Sequence, residues 1–592
     1  MASVFKNLSF SASIIPYFVP IFFSCFFMVS HSEYLSNTTS LPSITTKNSN
    51  VSDGGEWVLL HKSIGVSAMH MQLLINDRVI IFDRTDMGPS NVSLPDGTAC
   101  RQYIAHNRTL NDCTAHSLLY NLASDTFRPL FVASEFWCSS GALEPNGTLV
   151  QTGGYGNIGI RKIRTFSPCN DGSCQWVELP EKLSDNRWYA TNQILPDGRV
   201  IVVGGRRAFS YEFYPKKNDE WFYLRFLAET KDQGEENNLY PCLHLLPDGN
   251  LFIFANNRSI LFDYNNIRIV KELPGMPVAV KRNYPSTGSS VLLPLKMNGI
   301  LSESGLPQVE ILICGGAPPG AFYKAKYENV HGFASNSCGR IKLSDPDPKW
   351  VMEEMPMPRV MSDMLLLPTG DVLIINGASN GTAGWENAEN PVFNPVLYRT
   401  YESDSERRFV VLKPAGIPRM YHSSAILAPD GRVLVGGRNP HEMYSFKRAF
   451  PTDLSLEAFH PPYLAPLFAS LRPSILTVET RDDTVSYGQE FSVTFVLSEY
   501  RADPGITVAL VTPSFTTHSF AMNQRMVVLD VVRLVHLSTS ACKITAYGPP
   551  KNTVAPPGYY LLFLVHAGTP SHGVGVRVTI GTFLPIVLEE SC

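Results

Sequence analysis

Along most of the chain, short apolar runs come in pairs. Each pair reads as an apolar strand, a tight polar turn, then a second apolar strand that often ends in Gly-Gly. The clearest copies are Leu143–Gly154 and Leu195–Gly205. Weaker ones are Leu246–Ala255, Leu367–Gly377 and Leu427–Gly437. Two more lack the turn glycine: Leu74–Phe82, which turns at Asn76-Asp77, and Val309–Gly316. The turn glycines are Gly147, Gly198, Gly249, Gly370 and Gly431; the first two gaps are 51 residues, and the Val309–Gly316 copy fills the gap of 121. A period of about 50 predicts one four-stranded blade per repeat, hence a seven-bladed kelch-type β-propeller.

The pattern changes near Pro461-Pro462-Tyr463. From about residue 474 to 583 the strands shorten and alternate, as in Glu490–Leu497 and Gly558–Val565. Turn signals recur about every ten residues there, which predicts an immunoglobulin-like β-sandwich. The expected organisation is a signal peptide (1–32), a disordered lead (33–54), the propeller (55–463), the sandwich (470–583) and a tail (584–592). No long amphipathic helix is evident.

A propeller gathers the starts of its inner strands around one axial mouth. Nine residues before the turn glycines stand Cys138, Tyr189, Tyr240 and His422, with Tyr421 beside the last. Core positions would be aliphatic; a ring of Cys, Tyr and His points to chemistry. Tyr189, Tyr421, His422 and one further histidine make a metal-binding set. His518, in the polar loop Thr512–Phe520 between two sandwich strands, is the best candidate for the fourth. Two imidazoles and two phenols suit copper in a tetragonal arrangement. Cys138 and Tyr189 lie one repeat apart at the same offset, which places the thiol against the phenol ring. Tyr240 reads as a channel-wall residue. His116, His244, His460 and His566 read as structural, and Glu135 and Asp185 as solvated loop charges.

Charge and composition narrow the partners. A net charge of −4 offers no polybasic surface for nucleic acid or lipid. Lys6, the apolar run Ile14–Val29 and the small residues Ser30 and Ser32 form a secretory signal, and no second apolar stretch is long enough to span a bilayer, so no membrane anchor is expected. Glycosylation acceptors at Asn37, Asn50, Asn91, Asn107, Asn146, Asn257 and Asn380 fit a secreted, extracellular protein, in a plant the cell wall or apoplast. Of eleven cysteines, Cys25 leaves with the signal. Short polar loops pair Cys100 with Cys113 and Cys169 with Cys174. With Cys138 otherwise engaged, the strand residue Cys314 is the candidate free thiol, and a Cys542–Cys592 bond would tie down the tail.

Four motifs carry a resemblance: Phe136–Gly141, Asn186–Asn192, Arg419–Ser424 and the loop holding His518. With them the chain resembles the radical-copper oxidases, and most of all plant-type glyoxal oxidase. The resemblance implies a Cys138–Tyr189 thioether that carries a radical, Tyr421 as axial ligand and base, and His422 and His518 completing the copper site. It implies oxidation of small aldehydes to acids, with O2 reduced to H2O2 and no nicotinamide or flavin. One departure stands out. Where galactose oxidase stacks a tryptophan over the cross-linked tyrosine, this chain has Arg207, and the carbohydrate-binding domain that precedes the galactose oxidase propeller is missing. Both lower the case for galactose, and an arginine at the mouth suits a small polar or anionic carbonyl compound. The expected partners are therefore a small-molecule aldehyde and O2, bound by a monomer. The alternatives are an alcohol or carbohydrate oxidase of the galactose oxidase type, and a non-catalytic extracellular kelch-type binding protein.

Overall fold

The computed structural model describes residues 54–579, apart from 106–107, 157, 219, 298–304, 481–483 and 504. The expected signal peptide, all but the last residue of the lead, the 584–592 tail and Cys592 lie outside the described residues.

The propeller has seven antiparallel blades: six are separate four-stranded sheets, and the blade that begins with His70–Leu73 is widened to six strands by a hairpin from the C-terminal part. The Pro-Asp/Asn-Gly turns that join first and second strands share one device. Asn146, Asp197, Asp248 and Asp430 each accept the backbone N–H two residues on, at 2.9–3.0 Å. The glycine between then takes a left-handed conformation, as Gly198 does at φ 84°. The second strands are buried on both faces, as in Val200–Gly204, because each blade is covered by a neighbour on either side. That is why they read as unbroken apolar runs.

The ring closes on itself. The first described strand, Glu56–His61, pairs antiparallel with Leu456–His460 as the outer strand of the last blade. Buried arginines pin the mouth. Arg187, Arg282, Arg359 and Arg419 lie two residues before Tyr189, Tyr284, Met361 and Tyr421. Their guanidiniums donate to the carbonyls of Gly204, Gly315, Asn376 and Gly437 at 2.5–3.0 Å. Arg187 and Arg419 are paired with Glu212 and Glu457. For Arg282 and Arg359 burial pushes the pKa down to about 9.

The C-terminal part forms two packed sheets. One orders Ser474–Glu479, Glu490–Val496, Ala541–Tyr547 and Val531–His536; the other centres on Ile506–Val511 and Gly558–His566. Between Ile506–Val511 and Met526–Leu529 the chain leaves the sandwich as a hairpin, Phe515–Thr517 with Phe520–Met522. That hairpin pairs with His70–Leu73, the innermost strand of the first blade. An arm of the sandwich is thus hydrogen-bonded into the propeller, with His518 at its tip.

Cys100–Cys113 and Cys169–Cys174 are disulfides as expected. The expectation for Cys314 was wrong. Cys314 and Cys338 stand directly opposite each other on neighbouring strands, with Cα atoms 4.1 Å apart, and are bonded. Sequence spacing hid a pair made by strand register. Among the described residues the free cysteines are Cys138, Cys242 and Cys542, all buried. Here too, no helix is long and apolar enough to cross a membrane.

Candidate metal centre

The offset of nine residues has a conformational meaning. Cys138, Tyr189, Tyr240, Met361 and His422 all adopt positive φ, between 48° and 67°. Left-handed backbone is unusual for residues with a Cβ. Here it recurs in five blades, just before each inner strand. A chain of hydrogen bonds holds several of these positions together: Tyr189 N–H donates to Cys138 O at 3.0 Å, and Tyr240 N–H to Tyr189 O at 2.9 Å. The C-terminal arm repeats the device, with His518 at φ 45° and Ser519 at φ 69°.

These conformations bring the sequence-selected residues together. Ring centroids of His422 and His518 lie 4.9 Å apart, those of Tyr421 and His518 5.7 Å, and those of Tyr189 and His518 6.0 Å. Tyr421 stacks on His422 at 3.8 Å. The Cys138 sulfur lies 3.2 Å from His518 Nε2. Donor atoms of Cys138, His422 and His518 all fall within 4.8 Å of one another.

Sequence reasoning missed one residue at the centre. The Tyr189 hydroxyl donates to the Tyr284 oxygen at 3.0 Å, and the Tyr284 and Tyr421 hydroxyls lie 2.9 Å apart. The Tyr284 ring also stacks on Tyr189, at 4.3 Å and 29°. Its blade has no turn glycine, so the offset rule had no anchor there. Met361 obeys the rule but is apolar. With Thr287, Ala383, Met420, Tyr421 and His422 it lines a narrow crevice beside the cluster.

Burial sets the electrostatics. It drives the phenols of Tyr189 and Tyr421 well above their ordinary pKa and the His422 imidazole well below its own. The His518 imidazole is pushed down to about 3. Both histidines are therefore neutral, the state with a lone pair to offer. His518 Nδ1 is fixed by the Thr517 hydroxyl at 2.7 Å, which leaves Nε2 facing the cluster. Neither ring nitrogen of buried His422 has a hydrogen-bond partner. Such an orphan costs about 1–3 kcal/mol, and a cation would remove that cost.

Two flanking expectations change. The arginine at the mouth is Arg206 rather than Arg207. Both arginines are exposed, but it is Arg206 that lies 5.1 Å over the Trp188 ring and pairs with Glu236. Arg207 itself is left-handed, at φ 63°. Glu135 is buried rather than solvated: it accepts from the Thr85 hydroxyl and from the backbone N–H groups of Thr85 and Trp137. Burial raises its pKa to about 7. Tyr240 is a wall residue whose hydroxyl donates to Ser139 O at 3.1 Å. His116, His244 and His566 each have a hydrogen-bond partner away from the cluster.

The chain matches the family described as glyoxal oxidase N-terminus over residues 69–463. Over 472–578 it matches the galactose oxidase-like early set domain. It is 44% identical over 520 residues to aldehyde oxidase GLOX of Vitis pseudoreticulata, covering 87% of this chain and 96% of that relative. It is 42% identical over 528 residues to aldehyde oxidase GLOX1 of Arabidopsis thaliana, covering 88% and 84%. Among solved structures, a fungal alcohol oxidase in complex with copper aligns at a TM-score of 0.68 and 18% identity, covering 89% of this chain and 100% of that one. That last likeness is one of fold.

Proposed function

The chain belongs to the glyoxal oxidase family, and on that premise we propose that it is a secreted, monomeric copper oxidase of small aldehydes: R–CHO + O2 + H2O gives R–COOH + H2O2. The observation that carries this reading is the pair of unpartnered, buried His422 nitrogens inside a ring of two phenols, a second neutral imidazole and a free thiol. Tyr189, Tyr421, His422 and His518 would hold the copper. Bound there, copper supplies one-electron redox chemistry beside the phenols.

The remaining work falls to the protein. Once copper and O2 had oxidised the pair to a thioether, Cys138 would make the Tyr189 ring easier to oxidise, and the oxidised Tyr189 would take the carbon-bound hydrogen of the hydrated aldehyde. The Tyr421 oxygen takes its hydroxyl proton. Met361, Met420 and Ala383 set an apolar wall beside Tyr421 and His422 that excludes water. Arg206, near Tyr189 and Tyr284 and partly exposed, favours polar or anionic carbonyl compounds over neutral sugars.

The test is metal analysis of purified protein combined with oxygen uptake on glyoxal, a simple primary alcohol and galactose. One copper per chain and fastest uptake on glyoxal are expected. Copper-independent uptake, or faster turnover of galactose, would overturn the proposal.

A further inference from the structure

Tyr284 is joined to both proposed tyrosine ligands and belongs to none of the four motifs. Its hydroxyl touches the phenol oxygens of Tyr189 and Tyr421, at 3.0 and 2.9 Å. Its ring covers one face of Tyr189 at 4.3 Å, and Trp188 meets the same ring at 4.7 Å with a 36° tilt. Tyr284 is fixed by its own surroundings: the neighbouring Asn283 amide donates to Tyr240 O at 2.9 Å, and Pro285 O accepts from Ala383 N at 2.9 Å. A rigid ring thus lies against Tyr189, and a rigid hydroxyl lies between two oxygens that would both bind one ion.

We propose that Tyr284 is the positioning residue that tunes Tyr189, acting through two separable contacts. This rests on the copper-radical reading above. The first contact is the stacked ring. It shields a face of Tyr189 from solvent and shares electron deficiency when Tyr189 has lost an electron, which favours the oxidised state. The second is the hydroxyl. One O–H faces two oxygens and can donate to only one at a time. A hydrogen bond to a phenolate is charge-assisted and stronger than one to a neutral partner. Donation to Tyr189 therefore favours its reduced form and makes it harder to oxidise; donation to Tyr421 holds that phenolate in place and leaves Tyr189 free to be oxidised. Ring and hydroxyl act in opposite directions on the same residue, and a single side chain sets the balance.

Two variants separate the contacts. Tyr284→Phe keeps the ring and removes the hydroxyl; Tyr284→Leu removes both. Copper-loaded protein without substrate is poised with mixtures of hexacyanoferrate(III) and hexacyanoferrate(II). The fraction of oxidised Tyr189 is read from visible absorption, and the decay of the oxidised form is then followed. In Tyr284→Phe the midpoint should move to lower potential. In Tyr284→Leu it should rise above that of Tyr284→Phe, and the oxidised form should decay at least about tenfold faster than wild type. Wild-type midpoint and lifetime in both variants would overturn the inference. Copper content and the Cys138–Tyr189 cross-linked peptide are measured on the same samples. If wild-type protein lacks that peptide, the copper-radical reading fails; if the peptide is present and the midpoints coincide, only the role of Tyr284 fails.

Discussion

Tyr189 and Tyr240 are the same residue type at the same repeat offset in adjacent blades. Both are left-handed, at φ 67° and 48°, and both are buried. Their rings meet edge to face at 5.5 Å, and each is within 6.0 Å of His518. Yet their hydroxyls have different partners. That of Tyr240 is satisfied by a backbone carbonyl, Ser139 O. That of Tyr189 reaches only other side chains that can lose a proton or meet a metal: Tyr284 directly, and the Cys138 thiol beside it. The repeat supplies an address and a backbone shape at each blade, while the neighbours decide whether the address carries chemistry. A phenol anchored to a carbonyl is a wall; a phenol among phenols, a thiol and imidazoles is the one proposed as a ligand.

The largest effect comes from removing what Tyr189 has and Tyr240 lacks. Cys138→Ala should fold and bind copper, because none of the four proposed ligands is lost and the cavity is small. It should lose oxidase activity by at least about 10³-fold, since its loss disables a unit rather than one contact. Peptide mapping sharpens the point. Wild-type, copper-loaded protein should yield one species carrying both Cys138 and Tyr189 after full reduction. In Tyr189→Phe the thiol should stay free rather than pass to Tyr240, because the Tyr240 hydroxyl is held by Ser139 O. A Cys138–Tyr240 cross-link would show that the two tyrosines are interchangeable and would break the comparison.

The same contrast shows what the sequence made legible. A ruler of nine residues from the turn glycine found Cys138, Tyr189, Tyr240 and His422, because turn geometry and blade geometry are rigidly linked. His518 was reached by a different signal, a polar loop between apolar strands. Tyr284 was invisible because its blade turns without glycine, so nothing fixed its place relative to the mouth. Met361 was within reach of the ruler but looks like any core methionine. Cys314 and Cys338 illustrate a third limit: their pairing depends on the register of two strands, which local pattern does not encode. Glu135 reads as a loop charge by composition and is buried because the segment around Thr85 folds over it.

An intermediate effect lies in acid. His518 has a folded-state pKa of about 3, held down by burial, against about 6.5 when unfolded. As pH falls through 6.5 the unfolded chain takes up a proton that the folded chain refuses. Its contribution to stability is thus complete above about 6.5 and is lost progressively toward 3. Tyr240, across the same channel, changes no charge in that window. Urea melts of copper-free wild type and His518→Gln at pH 7 and 5.5 compare the two. The variant should lose less stability on acidification, by about 1 kcal/mol. Equal slopes would mean that His518 is solvated and not seated in the channel.

The smallest effect is expected at the wall. Tyr240→Phe removes one hydroxyl and leaves the ring against Tyr189 and His518. The Ser139 carbonyl loses a donor, which costs about 1 kcal/mol of stability, the net worth of an ordinary hydrogen bond. No proposed ligand, thioether atom or pocket-lining residue changes. Turnover on glyoxal should therefore stay within about threefold of wild type, with copper content and the cross-linked peptide unaltered. The size of the effect matters less than its separation from that of Tyr189→Phe. Those two substitutions delete the same atom from the same residue type at the same offset, one blade apart. If both abolish turnover, the repeat address alone defines the site and the role given to the neighbours is wrong. If only the Tyr189 change does, the chemistry belongs to the company the phenol keeps.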